Sequence, residues 1–372
     1  DKAIRFEKYL DNLSIKHSRT YNINGYPNDI NHILSPDGFG KNDYVKTQRP
    51  LVVITGPGPG SGKMATCLSQ MYLDHEMGQT SSYAKFETFP IWNLALMHPV
   101  NMAYEAATAN LNDVNMIDPY HLESYGQSAV NYNRDVEAFP VLKKMLEKIM
   151  GEAPYKSPTD MGVNMVGFCI IDEEAAIEAS KEEIIRRYYN SLVDYRFAKE
   201  SYTSIEKIQT LMSNLDIEAE DRRVAIGARK KQEYTGKESF AIELEDGQII
   251  TGKKSNLFSA PAAAILNTLK KLGKIDDEIL LLSPHIIEPV SNLKTKSLGE
   301  VEPSLSINEM LIALAISATT NPLTHMAMQE IKNLKNLDAH STVILNDSEK
   351  SELRKLGLNF TQDAVFGDDS EY

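Results

Sequence analysis

One stretch constrains the fold more than any other. The apolar tetrad Leu51-Val52-Val53-Ile54 runs straight into Gly56-Pro57-Gly58-Pro59-Gly60-Ser61-Gly62-Lys63. Met64, Cys67, Leu68, Met71 and Tyr72 then recur at helical spacing. A short apolar run without polar alternation reads as a buried strand of parallel type. Strand, glycine loop and helix in that order form the arrangement that cradles phosphate. Glycines let backbone N–H groups turn toward an anion, the helix N-terminus adds positive dipole, and the lysine supplies a point charge. The stretch therefore predicts an α/β fold with a mostly parallel sheet and a P-loop-like turn. It makes Gly56, Gly58, Gly60, Ser61, Gly62, Lys63 and Thr66 the candidate ligand-binding residues.

The loop departs from a Walker A motif in two places. Counting back from Gly62-Lys63, the first glycine of that motif falls on Pro57, with Gly56 and Gly58 on either side. Met64 stands where a Ser or Thr would hold magnesium, and Thr66 is a turn away. The bland alternative is a stiff Pro-Gly turn that only reverses the chain. Charge favours the anion: between residues 41 and 63 the cations Lys41, Lys46, Arg49 and Lys63 face Asp43 alone, a net of +3.

The whole chain of 372 residues carries a net charge of −13, which leaves −16 outside that island. So acidic a surface suits neither nucleic acid nor an anionic membrane, and focuses a phosphorylated ligand on the basic patch. Cys67 and Cys169 are the only cysteines, too few for a disulfide framework or a four-cysteine zinc site. The longest apolar stretch, 311–318, is far too short to span a bilayer. The start, Asp1-Lys2-Ala3-Ile4-Arg5, has no Met and does not read as a signal peptide. The expectation is a cytosolic protein whose chain here is truncated at its N-terminus.

Three regions follow from the pattern: an α/β domain over 1–135, a helical subdomain over 136–220 and a C-terminal α/β subdomain over 221–372. Strands are predicted at 51–54, 83–89, 114–117, 224–228, 341–345 and 358–361. Asp246-Gly247 signals a hairpin between 240–244 and 248–251. Pro140 suits a first helical position and Gly151 a stop, while Ser306 with Glu309 makes a capping box. The helical region is the candidate surface for homo-oligomer contacts.

For chemistry beyond binding, Lys63, Glu87 and Asp118 are the candidate catalytic groups. Tyr83, Lys85 and Glu87 alternate onto one side of a strand, where Glu87 could act as a base. Asp118 ends an apolar run before Pro119, where a ligand or metal-binding acid would sit. Asp172 reads better as a helix cap. Arg134 is placed either to clamp a phosphate or to pair with a neighbouring acid. His98, His121 and His340 belong to no metal-binding motif.

The loop string, with the segments 25–33, 40–47, 83–90, 98–109, 114–123, 131–140, 157–168, 184–189 and 339–345, closely resembles a family of uncharacterised bacterial proteins catalogued as a domain of unknown function. Some members carry the label of ATP-dependent zinc protease. The resemblance covers nearly the whole chain. It implies cytosolic proteins with an α/β body, a helical insertion, a C-terminal α/β subdomain and a longer N-terminus. It supplies no reaction, and the residues give the protease label no support, since His-Glu-x-x-His is missing and the Walker A loop is imperfect.

The function expected is binding of a nucleotide or other phosphorylated small molecule at 56–63, with phosphoryl or nucleotidyl transfer as the natural chemistry. A non-catalytic sensor or assembly module is the alternative. No cofactor is assigned beyond that ligand, and magnesium has no obvious anchor.

Overall fold

The computed structural model describes residues 2–58, 60–85, 90–162 and 165–367. Its helices are α1 Lys2–Asn12, α2 Ile30–Ile33, α3 Lys63–Glu76, α4 Pro99–Ala107, α5 Pro119–Tyr125, α6 Asn133–Met150, α7 Pro158–Met161, α8 Glu173–Arg196, α9 Tyr202–Asn214, α10 Arg223–Thr235, α11 Ala260–Leu272, α12 Pro284–Asn292, α13 Ile307–Ala318, α14 Pro322–Gln329 and α15 Asp347–Lys355. The strands are β1 Asn115–Ile117, β2 Val130–Tyr132, β3 Ser239–Glu243, β4 Ile249–Lys253, β5 Asp338–Ser341 and β6 Asn359–Gln362. Contacts divide the chain into two units, Asp1–Glu105 with Asp113–Glu173 and Ala106–Asn112 with Glu174–Tyr372. Helices α6 and α7 lie in the first unit and α9 in the second, so the helices of 136–220 are shared between them.

The first unit is mainly helical around one apolar cluster. Leu68, Met71 and Tyr72 of α3 pack with Phe139, Leu142, Met145 and Leu146 of α6. Helix α6 stops at Gly151, whose φ of 84° is the left-handed cap the sequence predicts. Its start differs from expectation: the helix begins at Asn133, and Pro140 lies inside it. Pro140, itself exposed, offers no N–H to the Val136 carbonyl one turn earlier. The only sheet described in this unit is the antiparallel pair β1–β2.

The strand expected at 51–54 does not form. Leu51 and Val53 are 79% and 80% exposed, and among the described residues no strand pairs with this segment. Without a ladder partner an apolar run gains no hydrogen bonds from an extended conformation. Of the strand expected at 83–89, residues 83–85 have no strand conformation, and 86–89 lie outside the described residues.

The second unit holds a four-stranded sheet in the order β4-β3-β5-β6. The β3–β4 and β3–β5 pairs are antiparallel and β5–β6 is parallel. The mostly parallel sheet expected from the sequence is therefore a mixed one. The hairpin forms as read, with Gly247 at φ 78°. Helix α11 crosses β4 so closely that a Cβ on Gly252 would lie 2.2 Å from the Ala264 nitrogen. Residues 224–228 are helical in α10, not a strand. Val224, Ala225 and Ala228 are all fully buried, a helical spacing that a five-residue window does not separate from strand periodicity. Helix α13 opens on the capping box of Ser306 and Glu309. The strand expected at 341–345 ends at Ser341, the last residue of β5.

Candidate functional site

The glycine loop closes on the N-terminus of α3. Gly60 and Gly62 have φ of 71° and 85°, a conformation that side-chain-bearing residues rarely adopt. Gly62 is the N-cap and supplies no side chain, so the first N–H groups of this 14-residue helix have neither an intrahelical acceptor nor a side-chain cap. A Cβ on Gly58, Gly60 or Gly62 would meet no atom within 4 Å, so open space lies above the turn. Gly56 is different: a Cβ there would come within 2.3 Å of Ser61 Oγ.

Lys63 folds back over the loop. Its ammonium donates to the Gly58 carbonyl at 2.8 Å and to Ser61 Oγ at 3.3 Å, while Ser61 Oγ donates to Gly58 O at 2.7 Å. Thr66 Oγ1 donates to the Gly62 carbonyl at 3.1 Å. The structure thus brings Gly58, Ser61, Gly62, Lys63 and Thr66 into one hydrogen-bonded turn. The β-strand that precedes such a turn in a P-loop is missing here.

The segment before the loop is pinned along α3. Asn42 Nδ2 donates to Ser69 Oγ, Tyr44 OH to Asp74 Oδ1, and the Val45 N–H to Gln70 Oε1. Of the basic island, Lys41 pairs with Asp37 at 3.6 Å. Among the described residues no carboxylate lies within ion-pair distance of Lys46, Arg49 or Lys63.

The other sequence candidates are placed elsewhere. Asp118 is fully buried at the N-cap of α5. Its Oδ1 accepts from the N–H groups of Tyr120 and His121, and its Oδ2 from the N–H and hydroxyl of Thr159. Glu87 lies outside the described residues. Lys85 pairs with Asp135, and Arg134 with Asp113 at 3.2 Å. Both cations lie over the Tyr132 ring, 5.4 and 5.1 Å from its centroid. His98 pairs with Glu173 at 2.8 Å, and His121 Nδ1 lies 3.0 Å from Ser157 Oγ.

The second unit contains a buried charged network that the sequence does not announce. Arg222, 1% exposed, donates to Glu182, Asp338, Thr361 and the carbonyls of Ala339 and Asn359. Arg229 grips Asp363 through two nitrogens at 3.1 and 2.6 Å. His340 Nδ1 shares Thr361 Oγ1 at 2.8 Å, and its Nε2 lies 3.3 Å from Asp363 Oδ1, close enough for attraction but without hydrogen-bond geometry. Burial pushes the Asp363 carboxyl up, but His340 and Arg229 outweigh it and bring its pKa down to about 2. Burial holds the His340 imidazole below its ordinary value. These partners lie between 21 and 139 residues apart in the sequence, so local spacing carries no trace of them.

Comparison with known proteins places this architecture. The family model described as domain of unknown function DUF1846, N-terminal, matches residues 1–216, and its C-terminal counterpart matches 220–372. The chain belongs to the DUF1846 family. A UPF0371 protein of Streptococcus uberis is 56% identical over 370 residues, which cover 100% of this chain and 75% of that protein. A UPF0371 protein of Streptococcus thermophilus is 57% identical with the same coverage. The seam between the two DUF1846 models, 216–220, follows α9. Neither the DUF1846 models nor these relatives carry the zinc protease label in their names. Among the described residues no group of three or more His, Cys, Asp or Glu is arranged to hold a metal ion. Among them, too, no helix is long and apolar enough to cross a membrane.

Proposed function

We propose that this protein binds a phosphate-bearing small molecule, with a nucleotide as the leading class, at the turn formed by residues 56–66. One observation carries the reading: two left-handed glycines and the Lys63 ammonium surround an uncapped helix N-terminus that opens onto free space. Backbone N–H groups and the helix dipole would hold the phosphate oxygens. Lys63 would exchange its carbonyl contact for a charge-assisted bond to the ligand. The basic residues Lys46 and Arg49 add long-range attraction within an acidic protein.

The same turn favours binding over phosphoryl transfer. Met64 offers magnesium no oxygen, and the Thr66 hydroxyl is turned into its own helix. Asp118, committed to four donors, has no part in this reading. Isothermal titration of the full chain with ATP, GTP, pyrophosphate and glucose 6-phosphate tests it. Saturable binding of at least one, lost in Lys63→Ala, is the expected result. Absence of heat with all four would sink the proposal. A turnover assay with magnesium should detect no phosphate release, and sustained release would overturn the binding-only part.

A further inference from the structure

In the second unit a cavity of about 460 Å³ opens beside β6, lined by α8, α15 and the segment 106–110. Its size falls within the range of small-molecule sites, roughly 300–1,000 Å³. Hydrogen-bonding groups without partners face this space from several elements. The side chains of Asn110, Asn190 and Ser191 line it and make no hydrogen bond among the described residues. Gln362 spends its Oε1 on the Leu345 N–H at 2.9 Å, which leaves its Nε2 as a donor. Strand β6 is the edge of its sheet. Asn359 N–H donates to Leu337 O and Asp363 N–H to Ser341 O, so alternate residues face β5. The N–H groups of Phe360 and Gln362 point the other way, and both residues line the cavity.

Charges of both signs share the lining and cancel. Arg187 is matched by Glu183 at 2.7 Å and Lys350 by Asp347 at 3.5 Å. That leaves Lys199 and Arg354 against Asp194 and Glu200, none of them in an ion pair among the described residues. The two signs are interleaved: Asp194, Lys199 and Glu200 all come from the C-terminal end of α8 and the turn after it. Aromatic rings hold the cations in place. Lys199 and Lys350 lie 5.1 and 5.8 Å from the Phe197 centroid, and Arg354 lies 5.8 Å from that of Phe360.

We propose that this cavity binds a neutral sugar of one or two rings. An anion or a cation would gain from one free pair of charges and lose to the other. A zwitterion needs the two signs gathered at opposite ends, and a purely apolar molecule would strand every polar group here without water or partner. A hydroxyl both donates and accepts. A ring of hydroxyls therefore takes bonds from Arg354, Lys199, Asn190 and Gln362 and gives them to Asp194 and Ser191 without adding charge. The carbon face of the ring has Ala106, Ala107 and Ala109 to lie against, small residues that let it approach. The assignment is independent of the glycine loop, which lies in the other unit.

The test is calorimetric titration of the full chain with glucose, galactose and mannose, each beside its uronate and its 2-amino counterpart, followed by amide NMR. None of these probes carries phosphate, so the outcome is separate from that for the glycine loop. At least one neutral sugar should bind saturably, with a Kd below about 10 mM. Its uronate and amino forms should each bind at least about threefold more weakly. The amide signals of Phe360 and Gln362 should shift with the sugar. Arg354→Ala, at an exposed position, should keep its melting temperature and lose affinity about fivefold or more. Four results would each overturn the proposal: no saturable binding of any neutral sugar, tighter binding of a charged form, both amides unmoved, or affinity unchanged in Arg354→Ala.

Discussion

At the scale of single residues, Lys63 and Asp118 separate binding from scaffolding. The Lys63 ammonium hydrogen-bonds to the turn it belongs to, at Gly58 O and Ser61 Oγ. Replacing it with alanine is expected to weaken phosphate binding by about 1.5–3 kcal/mol, the worth of a charge-assisted bond, with melting unchanged. Gly60→Val should remove binding by another route. Space exists for the side chain, but φ of 71° does not suit a β-branched residue, and the strain is about 1–3 kcal/mol. Asp118→Ala should do the reverse of Lys63→Ala. It strips a cap and leaves buried donors on Tyr120, His121 and Thr159 unpaired, so urea denaturation should show a loss of at least about 2 kcal/mol. Ligand affinity of the protein that remains folded should stay as it was. A ligand-binding defect in Asp118→Ala without a stability defect would contradict this division.

Elements explain what was legible in the sequence and what was not. Signals that act within one turn could be read directly: the glycine stop of α6, the capping box of α13, the Asp-Gly hairpin and the start of α3 beside Lys63. Apolar runs misled, because their conformation is decided by distant partners. Residues 51–54 have no ladder partner among the described residues, and 51–53 stay exposed, whereas 224–228 find a sheet to cover and become helical. For the same reason the loop itself could be located from its glycines, but its strand context could not be verified. The unit 2 cavity was invisible, since its lining comes from segments far apart in the chain. Packing gives a prediction at this scale. Gly252→Ala would drive a methyl against the Ala264 backbone nitrogen, where neither β4 nor α11 can yield by a side-chain rotation. Overpacking of this kind costs about 1–3 kcal/mol, and thermal melting of the full chain should register it. A neutral result would mean that α11 shifts freely on the sheet.

For the molecule as a whole, acidity acts through the buried network of the second unit. His340 faces Asp363, Arg229, Arg222, Thr361 and Tyr189, and its folded pKa lies below the ordinary 6.5. Below that value the unfolded chain takes up a proton that the folded ring refuses, so stability falls as pH drops. Asp363, with a folded pKa of about 2, contributes above its ordinary 3.8, and that contribution is lost as pH falls further toward 2. Both shifts act in the same direction. The half-buried Glu182 carboxyl is pushed up by burial and acts the other way. Urea denaturation at about pH 7, 5 and 3 is therefore compared between the unaltered chain and Asp363→Asn. The stability gap between them should shrink as pH falls, and a gap that stays constant would contradict the assigned ionisation states.

The anion-binding turn remains the central claim, and amide NMR addresses it most directly. Titration of the nitrogen-15-labelled chain with pyrophosphate should move the backbone signals of Gly60, Gly62, Lys63 and Met64 along a saturable curve. The same titration of Lys63→Ala should leave them nearly still. Signals that stay fixed in the unaltered protein, or that move equally in both, would show the glycine turn to be only a reversal of the chain.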